Sequence, residues 1–80
     1  METQQIDAVG LRCPRPIVEL AKASRASGPG ALIVIRADDL AFESDVRAWC
    51  EATGRTLVEI RREGRVICAT VRIPGGQEGT

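Results

Sequence analysis

The chain has 80 residues, 44% of them hydrophobic, with 11 basic and 11 acidic side chains and a formal net charge of zero. That suffices for one small domain with a thin two-layer core, and it excludes a strong electrostatic drive toward nucleic acid or an anionic membrane. There is no histidine, which removes the usual general base, the Cys–His dyad and the Ser-His-Asp triad together and leaves hydrolase chemistry without its machinery.

The opening Met1-Glu2-Thr3-Gln4-Gln5 is polar and no apolar run follows it, so no signal peptide is expected. Ile6 and Ala8 alternate with Gln5 and Asp7, predicting a short strand near residues 4–9 that Gly10 breaks. A helix is predicted near 14–26, with Ile17, Leu20, Ala21 and Ser24 on one side and Glu19, Lys22 and Arg25 on the other. Ser27-Gly28-Pro29-Gly30 ends it. Residues 31–37 read as a buried strand, and their run Ala31-Leu32-Ile33-Val34-Ile35 is far too short to span a bilayer.

Asp38 and Asp39 are expected to cap a second helix. Phe42, Val46, Trp49, Cys50 and Thr53 recur at helical intervals as its apolar face, with Val46 and Trp49 in the core. Glu43, Asp45, Arg47 and Glu51 cover the remainder, and Gly54 is the expected C-terminal cap. Two strands near 55–62 and 65–73, joined through Glu63-Gly64, read as an antiparallel hairpin. Residues 1–74 then form a single domain and residues 75–80 a flexible tail.

The order β-α-β-α-β-β predicts an α+β fold: a two-layer sandwich in which both helices cover one face of a four-stranded mixed sheet. A right-handed crossover makes the first two strands parallel. The expected spatial order is 1-2-4-3, with the fourth strand antiparallel to its neighbours. The uncovered sheet face is expected to carry Leu32, Val34, Leu57, Val66, Cys68 and Thr70. It reads as an ordinary open sheet or, more sharply, as a partner or dimer surface, so the chain is expected to be a monomer or a weak dimer.

The three cysteines, at 13, 50 and 68, lack the close pairs of a structural zinc site, and an odd count without a secretory signal argues against a disulfide framework. No metal or cofactor is expected. Cys13 stands apart, in Gly10-Leu11-Arg12-Cys13-Pro14-Arg15-Pro16. Pro14 fits the first position of a helix, which makes Cys13 its N-cap. Free N–H groups, the positive helix end, and Arg12 and Arg15 would then favour the nucleophilic thiolate and lower its pKa below the free value of about 8.5.

Asp7-Ala8-Val9-Gly10-Leu11-Arg12-Cys13-Pro14-Arg15-Pro16 resembles the signature of the TusA (SirA-like) sulfur-carrier proteins. The likeness continues in Ala37-Asp38-Asp39, Asp45-Val46, Trp49-Cys50 and the Gly75-Gly76 tail, in register with the family's element order. It implies a cytoplasmic persulfide relay. Cys13 would take sulfane sulfur from a cysteine desulfurase or a rhodanese-type protein and pass it to an acceptor protein, a sulfurtransferase in the broad sense. Arg12, Pro14, Arg15 and Pro16 would support the thiolate or dock the partners. Destinations in the family include tRNA thiolation, molybdenum-cofactor enzymes and sulfur oxidation. Two positions depart from the family: Arg15, where many members have Glu or an apolar residue, and Leu40, where Pro is common.

Cys50 reads as a small core residue and Cys68 as incidental. Arg61, Arg62 and Arg65 read as a solvated edge that discourages aggregation. Two other function classes remain open from the residues. One is an RNA-binding module, suggested by a likeness to the C-terminal domain of a bacterial translation initiation factor and weakened by the zero net charge, so direct nucleic-acid binding is not expected. The other is a thiol redox or regulatory protein, weakened by the lack of a Cys-x-x-Cys pair.

Overall fold

The computed structural model describes residues 3–74. The elements run β1 (Thr3–Asp7), α1 (Arg15–Ala26), β2 (Leu32–Ala37), α2 (Phe42–Thr53), β3 (Thr56–Glu63) and β4 (Val66–Arg72). The sheet order is β1-β2-β4-β3. β1 and β2 are parallel, with Ile6 opposite Ile35, and β4 runs antiparallel to both β2 and β3. The predicted topology is therefore the observed one. The expected tail lies outside the described residues.

Both helices pack on the same sheet face, α1 over β1 and β2 and α2 over β3 and β4. The core between the layers is Leu20 from α1, Phe42, Val46 and Cys50 from α2, and Ile33, Ile35, Ala37, Ala69 and Val71 from the two central strands. Alternation along β2 and β4 sends every second residue to this layer, because successive strand side chains point to opposite faces. Each fully buried Leu, Ile, Val or Phe contributes about 1.5–3 kcal/mol, so these two strands and α2 hold most of the domain together.

Four expectations need correction. Leu57 is not on the open face: it pairs with Val71 and packs against the core, because a bulge at Val58 changes the phase of β3 between Leu57 and Glu59. Trp49 is half-buried at the edge of the core, with the Arg55 guanidinium 5.7 Å from its ring centre. Asp38 does not cap α2; its Oδ1 accepts from the Gly10 N–H at 2.9 Å, and Asp39 accepts from the Ala41 N–H at 3.2 Å in the turn before the helix. Pro16 is fully buried, so it packs the helix onto the core and presents nothing to a docking protein.

The hairpin between β3 and β4 is a two-residue connection, Gly64-Arg65, with Glu63 opposite Val66. Gly64 has φ +65 and, among the described residues, only glycines take positive φ, Arg65 therefore not, which is the pattern of a type II′ turn. Glu43 of α2 ties the hairpin down: its carboxylate accepts from Arg47 at 3.1 Å and from Arg62 of β3. Arg47 first, then Arg62, holds that carboxyl below the usual range.

Candidate functional site

The segment between β1 and α1 is braced to the end of β2. Leu11 N–H reaches the Ala8 carbonyl at 3.1 Å, closing a turn in which Gly10 takes φ +92. A side chain at position 10 would be strained there. Asp38 accepts from Gly10 and stands 3.6 Å from the Arg12 guanidinium. The Arg15 N–H donates to the Arg12 carbonyl at 2.7 Å, closing a second turn around Cys13 and Pro14, whose joining peptide is cis. Cys13 is exposed at its crest, whereas Cys50 is buried and Cys68 intermediate; all three are free thiols.

The helix begins one residue later than its sequence suggests. Pro14 is the N-cap of α1, Arg15 its first residue and Pro16 its second. Proline is tolerated anywhere in this turn, since its N–H groups have no helical partner. The consequence for Cys13 is large. Pro14 and Pro16 have no N–H to offer, and that of Arg15 is already engaged by Arg12. The Arg12 guanidinium stands beside Asp38. The expected cradle of free donors around the sulfur is largely absent.

The sulfur instead faces a carboxylate. Cys13 Sγ donates to Asp45 Oδ2 at 3.3 Å across 32 residues of sequence. Asp45 lies in the first turn of α2. This hydrogen bond, then a slight loss of hydration, then the negative charges of Asp45 and Asp39, push the Cys13 thiol above its ordinary pKa. The expected lowering is thus overturned: a hydrogen bond to the protonated form and two nearby anions act on the sulfur in the opposite direction. Asp45 was legible only as part of the family likeness, as the pair Asp45-Val46; nothing in the local sequence assigns it a partner so distant along the chain.

Beside this loop a partly open cleft is lined by Arg12, Asp38, Asp39, Leu40, Gly64, Arg65 and Ile67. Leu40 is wholly exposed at its lip. Arg12, Pro14 and Arg15 are exposed, and Pro16 is not. Of the basic hairpin residues, Arg61 lies 3.8 and 3.7 Å from Glu59 and Glu63, and Arg62 pairs with Glu43. The basic edge is thus largely neutralised by acidic neighbours. Among the described residues, no group of three His, Cys, Asp or Glu side chains is placed to hold a metal ion, and no helix is long and apolar enough to cross a membrane.

The family model for Sulfurtransferase TusA matches residues 4–73. The chain belongs to the TusA family. It is 39% identical over 71 residues to the "Putative sulfur carrier protein" of Archaeoglobus fulgidus, covering 88% of this chain and 92% of that protein. Its fold is similar to the crystal structure of the SirA-like protein from Desulfitobacterium hafniense, with a TM-score of 0.78 and 26% identity, over 92% of this chain and 99% of that one. The TusA match runs from the second residue of β1 through the end of β4 and includes both Cys13 and Asp45.

Proposed function

We propose that this TusA-family protein is a cytoplasmic sulfur carrier whose Cys13 takes up sulfane sulfur as a persulfide and hands it to an acceptor protein. The observation that carries the reading is the placement of Cys13: it is the exposed thiol of the three, on the crest of a braced loop. A carrier must let two different enzymes reach one atom in turn. A crest serves that need better than a pocket, which would admit a small substrate and exclude a protein.

The transfer balances without an external oxidant. Cys13 Sγ, as thiolate, attacks the outer sulfur of a donor protein's cysteine persulfide. A new S–S bond forms at Cys13, the donor's S–S bond breaks, and the donor's cysteine leaves as thiolate and recovers the proton that Cys13 gave up. A cysteine desulfurase or a rhodanese-type protein is the donor class. The acceptor class is a protein serving tRNA thiolation, a molybdenum-cofactor enzyme or sulfur oxidation. Arg12, Pro14, Arg15 and the exposed Leu40 form the contact surface that such partners meet.

Incubation with a cysteine desulfurase and cysteine, followed by whole-protein and peptide mass spectrometry, tests this. The expected result is one added sulfur on the peptide containing Cys13 and none on those of Cys50 or Cys68. Loading that persists at the wild-type level in Cys13→Ser would overturn it.

A further inference from the structure

The carboxylates of the β2–α2 turn and of the start of α2 fall into two groups. Asp38 has a cation, Arg12, at 3.6 Å, and Glu43 has two, Arg47 and Arg62. Asp39 and Asp45 have no ion-pair partner among the described residues. Asp45 holds the Cys13 sulfur at 3.3 Å and Asp39 accepts from a backbone N–H. Asp7, which accepts from the Val9 N–H at the entry to the loop, has Arg36 at 3.7 Å, while Arg15 at the start of α1 and Arg65 at the hairpin tip are not ion-paired among the described residues. A thiol meant to attack another sulfur is thus hydrogen-bonded to an anion that no cation among the described residues neutralises.

We infer that Asp45 is a lock on Cys13: it holds Sγ as a hydrogen-bonded thiol in the free protein, and a donor or acceptor that lays a lysine or arginine against Asp45 on docking releases the thiolate. The second half rests on the carrier function proposed above; the first does not. Charge complementarity supports it. Two unpaired carboxylates beside an exposed thiol attract a cation from a partner, and such a contact removes the acceptor that keeps the proton on sulfur. The free carrier would then be slow to oxidise or to transfer to the wrong target, because the thiolate is the reactive species. During transfer the proton leaves Sγ for solvent once Asp45 is paired with the partner's cation, and the departing donor thiolate takes one up as the donor's S–S bond breaks, so no proton or electron is gained or lost.

The expected magnitude follows from thiol chemistry. One unit off the pKa raises the thiolate fraction at neutral pH about tenfold, while the lower basicity takes back about threefold in nucleophilicity, leaving a gain of about threefold in rate. The test uses the full chain with Cys50→Ala and Cys68→Ala, so that alkylation by iodoacetamide reads Cys13 alone across pH. Asp45→Asn should bring the midpoint down by a unit or more and raise the rate at pH 7 about threefold. Asp45→Glu should keep the high midpoint. A midpoint in Asp45→Asn equal to or above that of the parent overturns the lock, and this readout involves no sulfur donor.

Docking is tested by comparing two sulfur sources. Glutathione persulfide, which brings no docking surface, should load Asp45→Asn faster than the parent. A cysteine desulfurase should load the parent at least as fast. Equal acceleration of the variant with both sources overturns release on docking. Absence of loading at Cys13 from either source would instead overturn the carrier function and leave the alkylation result standing.

Discussion

Cys13 and Cys50 are both thiols held above their ordinary pKa, for opposite physical reasons. Cys13 is exposed and is raised by a hydrogen bond to Asp45, with Asp39 as a further anion. Cys50 is only 4% exposed, and burial raises it against a weaker pull from Arg55. A suppression made by one carboxylate can be undone by one arriving cation. A suppression made by burial among Phe42, Val46 and the sheet is undone only by opening the core. The same direction of shift thus marks a switchable group in one region and a structural group in the other.

The largest effect that sharpens this contrast comes from the core side. Phe42 is 1% exposed, and Phe42→Ala is expected to lose about 3–5 kcal/mol through lost burial and the cavity left behind. Domains of this kind are stable by only about 5–15 kcal/mol, and small ones lie at the low end. Urea melts should show the loss. Alkylation of Cys50 should rise with the unfolded population, while Cys13, already exposed, should gain no more than the roughly threefold expected from losing Asp45. A loss below about 1 kcal/mol, or a Cys50 that stays protected in a destabilised chain, would break the account of Cys50 as burial-protected. Trp49→Ala should cost less than Phe42→Ala, since the ring is half-buried and its outer face is covered by Arg55.

A smaller effect is written in pH. The folded-state pKa of Cys50 is raised, so the folded protein keeps a proton that the unfolded chain releases above about pH 8.5. Its contribution to stability is fully present below that value and is lost as pH rises toward the folded pKa. The slope is at most about 1.4 kcal/mol per pH unit for one thiol. Urea midpoints of the wild type should fall from about pH 8.5 upward, and Cys50→Ala should flatten that fall. Cys13 contributes in the same direction and remains in both proteins, so their difference isolates Cys50. Identical slopes would mean that the buried thiol is already ionisable in the folded chain.

Much of this contrast was legible in the sequence and its decisive contact was not. Strand order followed from crossover handedness and from the short hairpin, both properties of local connections. The apolar face of α2 followed from the spacing of Phe42, Val46 and Cys50. Leu57 departs from an unbroken alternation, and the bulge at Val58 that shifts it leaves no mark in the sequence beyond two adjacent apolar residues. α1 starts one residue beyond the expected position because Pro14 and Pro16 both suit a first turn, and proline alone does not fix the phase. The Cys13–Asp45 hydrogen bond depends on how two loops are held over one edge of the sheet, by Asp38 on Gly10 and by the turn at Ala41. No periodicity encodes that. A local motif tells which thiol is presented, and only the fold tells what it faces.

The smallest expected effect on stability bears on the exposed side of the comparison. Arg15 is exposed, stands in the first turn of α1, and has no ion-pair partner among the described residues. Asp45 and Asp39 are likewise unpaired, so the rim of the loop offers a partner both signs of charge within a short reach of the sulfur. A partner that brings a cation to Asp45 has reason to bring an anion to Arg15. Such paired charges set encounter rate and register more than affinity. Arg15→Glu is therefore expected to slow sulfur uptake from a protein donor severalfold at low salt, with the difference shrinking as salt screens it. Urea midpoints should move by less than about 0.5 kcal/mol, as for most exposed substitutions. Arg15→Gln separates the two roles: neutralisation alone should give an intermediate rate if complementarity matters. Unchanged rates for both variants across low and moderate salt would place recognition elsewhere, on Leu40 and the cleft beside it. In that case Leu40→Asp, at a fully exposed position, should be the variant that slows transfer while leaving the fold unchanged.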